Sequence, residues 1–204
     1  RLYYDFPKSL DAHQKAADFY ERAGKIRHRN YIWYNQSSIY RNMNQSNESE
    51  RFLRMALKSG KEMNDKSLVR FCLGDLVMLH VERNQMLEAK ELYAELRLLT
   101  GEDYGSSAFM GNLVQLFVFE QDFLRAKQYL EKGWSRAKTH TDSIALYLSS
   151  SKLSSALGEP QKAYQELLRG VSMQNIETNK ALQQPVLTAQ RDYLSDKLEF
   201  EAYK

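Results

Sequence analysis

The segment 31–56, YIWYNQSSIYRNMNQSNESERFLRMA, limits the possible folds more than any other part of the chain. Its first half carries Trp33, Ser37 and Tyr40 and its second half Phe52, Leu53 and Ala56, spacings of three, four and seven that place each set on one helical stripe. The polar run NMNQSNES between them reads as a turn. Neither helix could bury its stripe alone, so the segment predicts a helical hairpin that depends on neighbours.

The same pattern returns along the chain. Ser49, Ala89, Ala126 and Ala163 set the register of successive second helices, at intervals of 40, 37 and 37 residues. Four residues after each comes Leu53, Tyr93, Leu130 or Leu167, and three further on Ala56, Leu96, Gly133 or Gly170. In the first helices the matching positions are Trp33, Leu73, Met110 and Tyr147, followed seven residues later by Tyr40, His80, Phe117 and Ser154. Small beside large is how two helices approach and interlock. The register predicts hairpins over 30–66, 70–104, 107–141 and 144–177, after a partial repeat over 1–28. Within that partial repeat Arg1 to Pro7 reads as irregular, and Ser9 as the cap of a helix running through Ala12, Ala16, Ala17, Tyr20 and Ala23 to about Ile26, the second helix of a hairpin. Lys25, Arg27, His28 and Arg29 then fall at its C-terminal end, where exposed carbonyls favour cations. Beyond Gln174, Pro185 suits the first turn of a helix. It predicts a terminal helix over 185–203, through Val186, Leu187, Tyr193, Leu194, Leu198 and Phe200, that packs on the last hairpin as a cap. The expected class is all-α, a superhelix of stacked antiparallel hairpins; the alternative is a generic helical bundle.

Composition narrows the function. With 43% hydrophobic residues, 3 Pro and 9 Gly in 204 residues, the chain can bury a sizeable helical core. Its 29 Lys and Arg are scattered among 26 Asp and Glu, a net charge of +3 that makes no electrostatic case for nucleic acid. The lone cysteine, Cys72, rules out an internal disulfide framework and lies in the apolar run LVRFCLGDLVML, where a buried structural thiol is expected. Arg70 and Asp75 interrupt the longest apolar stretch, so no segment reads as a membrane span. There is no initiator Met and no signal-peptide pattern, and the chain reads as a piece of a longer protein. The histidines His13, His28, His80 and His140 lie apart, without ligand spacing for a metal, and His80 reads as a core residue. LGEP at 157–160 reads as a hairpin turn and not as a phosphate cradle, and SSSKLSS at 149–155 continues a helical rhythm through Leu146, Leu148, Leu153 and Leu157. No cofactor, metal or catalytic group is expected.

On these residues the chain resembles the tetratricopeptide repeat. Trp33, Tyr40 and Ala56 match in the first full repeat, Phe117, Ala126 and Leu130 in the third, and Leu157, Gly158 and Ala163 in the fourth. The resemblance covers roughly Asn30 to Gln174. Val77 and Val114 stand where the family has a small residue, the closing proline is absent, and the spacing exceeds the family's usual unit of about 34 residues. It implies a right-handed superhelix whose first helices line a concave wall that binds peptides or proteins. Projected onto this sequence, the wall comprises Tyr31, Tyr34, Asn35, Ser38, Arg41 and Asn42, then Phe71, Asp75 and Met78, then Asn112, Gln115 and Phe119, and Lys152, with Tyr34, Asn35 and Asn112 the leading candidates. Aromatic groups offer rigid contact area, and Asn and Gln can bond a peptide backbone. Members that hold chaperone tails use lysines and an arginine where this chain has Tyr34, Ser38 and Phe71, so that ligand is not expected. The terminal segment VLTAQRDYLSDKLEFEAYK resembles the helix leading out of the repeat domain of Bacteroides-type membrane-anchored sensor regulators. That likeness implies the sensing or scaffolding part of a larger bacterial signalling protein, on the periplasmic side, with a membrane span after the chain. The alternative is a small-molecule or enzymatic pocket between the hairpins and the terminal helix, betrayed by a closed apolar cavity holding a perturbed Asp or Glu.

Overall fold

The computed structural model describes residues 5–101 and 104–202, with side chains through Lys180 and at Gln183. Among the described residues there are nine helices and no strand: α1 (Phe6–Arg22), α2 (Ile26–Asn42), α3 (Ser46–Glu62), α4 (Lys66–Glu82), α5 (Met86–Thr100), α6 (Ser107–Phe119), α7 (Phe123–Arg136), α8 (His140–Ala156) and α9 (Pro160–Ala202). The protein is an all-α solenoid. Hairpins α2/α3, α4/α5, α6/α7 and α8/α9 stack in chain order, and α1 packs on α2 as each later second helix packs on the next first helix.

The regularity comes from one turn used six times. After each of α1, α2, α3, α4, α6 and α8 the chain takes a left-handed residue, namely Gly24, Asn44, Asn64, Asn84, Gln121 or Gly158, with φ between 54° and 76°. The next residue donates its N–H to the carbonyl five residues back, as from Asp65 to Gly60 and from Gln85 to His80 at 2.9 and 2.8 Å. This Schellman closure satisfies the last carbonyls of one helix, and the donor then stands at the start of the following helix. Asparagine tolerates that conformation because its short polar side chain adds little steric cost. In the first half the turn recurs every 20 residues, so that α1, α2, α3, α4 and α5 begin at positions 6, 26, 46, 66 and 86.

The register residues occupy the core. Leu53, Ala56, Leu73, Ala89, Leu96, Met110, Phe117 and Ala126 are all 2% exposed or less, within a continuous apolar cluster running from α3 to α8. Phe117 stacks on Tyr129 at 5.2 Å, and the Tyr93 and Tyr129 hydroxyls meet at 2.6 Å, so these phenols are buried without leaving a polar atom unpaired. Val77 and Val114, where a small residue was expected, are fully buried; the close approaches fall instead at Gly74, beside the Tyr104 ring, and at Gly111, beside Ser149 on α8.

Three local expectations are corrected. Helix α1 is capped by Asp5, whose carboxylate accepts from the Lys8 N–H at 3.1 Å, and not by Ser9; it ends at Arg22. Arg1–Tyr4 lie outside the described residues. Because Gly24 closes the helix early, Lys25, Arg27, His28 and Arg29 stand at the start of α2, and it is the Lys25 backbone N–H, not a cationic side chain, that meets a carbonyl at the end of α1, that of Tyr20 at 2.8 Å. Two of them pair with acids on neighbouring elements, Arg27 with Asp65 at 2.8 Å and Arg29 with Glu21 at 2.7 Å, and His28 stacks on Tyr20. Finally, α9 is continuous over 43 residues, so the segment expected as a separate cap over 185–203 is the distal part of the last hairpin's second helix. Pro185, read as a helix start, lies within it.

Candidate functional site

The residues projected onto the concave wall all lie on α2, α4, α6 and α8, and none of them is buried: Asn35, Ser38, Asn42, Phe119 and Lys152 are exposed, and the remainder half-buried. They do not form one continuous surface. Tyr34, Ser38, Arg41, Asn42 and Asp75 converge on a cavity of about 330 Å³ between α2 and α4, floored by Ser37, Ser49, Leu53 and Leu79. Phe71 joins them by packing its ring on Tyr34 at 5.9 Å.

Asp75 is the chemical centre of that cavity. It sits in the middle of α4, where desolvation raises its carboxyl above the usual range, opposed by a hydrogen bond from the Tyr34 hydroxyl and by the charge of Arg41. Burial in turn pushes the Tyr34 phenol well above its ordinary value, and the neighbouring Asp75 charge adds to the effect. Arg41 is tied to Glu82 on the rim. The cavity therefore presents a half-buried acceptor, an aromatic wall, and the free hydroxyl and amide groups of Ser38 and Asn42, a set suited to a donor-rich polar group.

The rest of the projected wall lies apart from this cavity. Tyr31 points its hydroxyl at Asp65, 3.5 Å away, and lines a second opening of about 310 Å³ with Tyr20, Arg27, His28 and Ile32. Gln115 and Lys152 bond each other, and the Gln115 amide donates to Ser149 Oγ at 3.3 Å, which knits α6 to α8. The Asn112 amide is spent on its own helix, donating to the Ala108 carbonyl at 3.0 Å. Met78 packs against the core, and Phe119 stands alone at the end of α6, 52% exposed. Asn35 is exposed without lining either opening.

Sequence reasoning missed Tyr104 and Arg70. Tyr104, in the connection between α5 and α6, lays its ring against Gly74 one residue from Asp75, and the Arg70 guanidinium stands 5.5 Å from the Tyr104 ring centre and 5.3 Å from that of Phe71. The available signal was Gly74, since a glycine in mid-helix with no turn to make marks a close neighbour. Cys72 is fully buried, and burial raises its thiol to about 12, which makes it unreactive. His80 is 3% exposed, with Nδ1 2.9 Å from Gln85 Oε1 and Nε2 3.3 Å from Arg54, a core histidine with partners on both nitrogens. Among the described residues no group of three or more His, Cys, Asp or Glu is placed to hold a metal ion, and no helix is long and apolar enough to cross a membrane.

No protein-family model matches the chain, and no curated protein matches it. Among solved structures it is similar to BtubC (BKLC) from P. vanneervenii, with 17% identity and a TM-score of 0.60, over 86% of this chain and 75% of that one. At that identity the likeness speaks for the fold, a helical protein in both cases.

Proposed function

We propose that this chain is a non-catalytic binding module of tetratricopeptide type that takes a peptide or protein segment on its concave face, as the sensing or scaffolding part of a larger bacterial signalling or regulatory protein. The observation that carries the reading is the cavity between α2 and α4, where Tyr34, Ser38, Arg41, Asn42 and Asp75 meet. An extended peptide offers the N–H groups that Asp75, Ser38 and Asn42 would accept, and Tyr34 and Phe71 supply the rigid aromatic contact typical of binding hot spots.

A second reading, a small-molecule pocket, draws on the same place. Its volume of about 330 Å³ falls at the lower end of the range for ligand pockets, and Asp75 is a perturbed carboxylate. The mixed lining and the open mouth favour the peptide. Selection from a displayed peptide library, followed by calorimetry, tests the proposal: Tyr34→Ala and Asp75→Asn should each weaken a selected peptide by about tenfold, some 1.4 kcal/mol. Leu98→Ala, on the outer face of α5, should change nothing. Peptides that bind all three variants as they bind the parent would overturn the groove assignment, and a library that yields no binder while polar small molecules do would favour the second reading.

A further inference from the structure

Asp75 is a half-buried carboxylate without a counterion. The other half-buried acids of α3 and of the α4 cap each have an arginine: Glu48 has Arg51, Glu50 has Arg54 and Arg83, and Asp65 has Arg27. Among the described residues no lysine, arginine or histidine nitrogen lies at ion-pair distance from Asp75, and the group that bonds it is the neutral Tyr34 hydroxyl. Arg41, whose charge reaches Asp75, is itself taken by Glu82. Removing a carboxylate from water is costly unless a cation or several donors replace the solvent. Here the protein supplies one neutral donor and an open space.

That space is rich in acceptors. The Ser38 and Ser49 hydroxyls and the Asn42 amide line it from α2 and α3, and none of the three bonds to another described side chain or carbonyl. Oxygens on three helices around one acid match a positive group whose N–H donors point in different directions. A primary ammonium has three such donors and no acceptor. A guanidinium instead sets its donors in a planar fork that takes both oxygens of one carboxylate, and Asp75 is already shared with Tyr34. Leu53 and Leu79 add apolar surface along which an alkyl stem can pack while its charged head reaches the acid.

We propose that the cavity between α2 and α4 is a primary-ammonium site, in which Asp75 is the counterion and the Ser38 and Ser49 hydroxyls accept the remaining N–H bonds. The inference rests on the reading of this cavity as the place where a peptide binds, and it names the anchor as an amine, carried by a lysine side chain or by the peptide's N-terminus. With Arg41 balanced by Glu82, the charge left facing the cavity is that of Asp75. An anion drawn to Arg41 would have to displace Glu82 and then face Asp75.

Proton–nitrogen correlation NMR of the whole labelled chain, titrated with small probes of defined charge, tests this. Nα-acetyl-lysine methylamide carries only the side-chain ammonium and alanyl-alanine amide only the α-ammonium; Nα-acetyl-norleucine methylamide and Nα-acetyl-arginine methylamide are the neutral and guanidinium controls. At least one amine should shift the backbone amides of Ser38, Ser49 and Asp75 with a Kd on the order of 1 mM, about tenfold tighter than either control. Which amine does so identifies the anchor as lysine or N-terminus. Asp75→Asn, close to isosteric, should erase the preference, and Ser49→Ala should reduce it, each with the parent's circular dichroism spectrum. Arg41→Gln should strengthen the amine by about threefold, because a like charge is lost and Glu82 is released, whereas an anion site would lose its ligand. A control that binds as tightly as both amines, a preference that survives Asp75→Asn, or weaker amine binding in Arg41→Gln would overturn the ammonium assignment. A titration silent with all four compounds would overturn it too; library peptides that still lose affinity in Tyr34→Ala would then keep the groove reading, and peptides indifferent to that change would remove both.

Discussion

Gly133 and Gly170 occupy the same register position in successive hairpins, yet the structure predicts opposite outcomes when each becomes alanine. A Cβ on Gly133 would lie 2.5 Å from Leu146 Cδ2 and 3.3 Å from Met110 Cβ, and both neighbours are fully buried where α6, α7 and α8 meet. Alanine gains about 0.8–1.0 kcal/mol of helix preference over glycine. Overpacking a core that cannot yield costs about 1–3 kcal/mol. The cost prevails, and Gly133→Ala should destabilise by about 1 kcal/mol, a fall of roughly 2–4 °C in Tm for a chain of this size. At Gly170 the nearest atoms are Leu148 Cδ2 at 3.2 Å and Tyr147 Cβ at 3.3 Å, on half-exposed residues of α8 that can shift by a few tenths of an ångström. Helix preference then decides, and Gly170→Ala should stabilise by about 0.5–1 kcal/mol. Parallel thermal melts followed by far-UV circular dichroism, under one set of conditions, measure both. If Gly133→Ala melts at or above the parent, the three helices do not meet as tightly as described, and the interlocking argument fails at its closest contact.

Further outcomes follow from single residues. Asp75, held above the ordinary carboxyl value chiefly by desolvation, is neutral in the fold at low pH and must carry a desolvated charge once pH rises through its folded value. Stability conferred by Asp75 is therefore lost with rising pH, and Asp75→Asn should gain on the parent in urea titrations as pH is raised from acid to neutral; a constant difference would refute this. Asp65 behaves in the opposite sense. Burial pulls its carboxyl up, but the Leu68 N–H and the Arg27 pair outweigh it and leave the value below 3.8, so its contribution is present above that pH and lost as pH falls through the folded value. Asp65→Ala should cost about 1 kcal/mol at neutral pH, mostly through the lost cap of α4, while Asp65→Asn, which keeps a capping oxygen, should cost less. Gln121 holds a left-handed conformation, φ 59°, that glycine adopts without penalty; the relief of about 1–2 kcal/mol exceeds the roughly 0.5–1 kcal/mol of added unfolded-chain freedom, so Gln121→Gly should raise Tm by about a degree or more in thermal melts, and a lower Tm would refute this.

Helix pairing was legible in the sequence because burial writes a periodic signal: Ala56, Leu96, Ala126 and Phe117 recur at helical spacing and all lie in the core. Helix ends were less legible, because the residue that closes each helix is not apolar and does not join that rhythm. Asn44, Asn64 and Asn84 recur every 20 residues and mark three of the six turns, a polar period that a search for hydrophobic stripes passes over. Missing it displaced the start of α2 and put its cations on the wrong helix. The individual positions of the candidate wall were legible as accessible, but not which of them converge. That depends on how closely adjacent first helices approach, which Gly74 and Gly111 govern through contacts some 30 to 38 residues away in the chain, to Tyr104 and Ser149.

The spacing of the first helices also explains why the candidate site falls at one end of the groove. Helices α6 and α8 pack closely, Gly111 admitting Ser149, and their inner faces are closed by the bonds among Gln115, Ser149 and Lys152. Helices α2 and α4 are joined instead by side-chain bridges, Arg27 to Asp65, Tyr34 to Asp75 and Arg41 to Glu82, with the cavity between the last two. Of these the Arg41–Glu82 pair is the most exposed on both partners, and such a pair contributes little stability, on the order of 0–1 kcal/mol. A ligand that exchanges a donor of its own for the Arg41 bond to Glu82 loses little in breaking it, while the backbone scaffold, fixed by its Schellman turns, stays in place. On the proposed reading, polar recognition is thus concentrated between α2 and α4, where the backbone is fixed and the exposed Arg41–Glu82 pair can change partners.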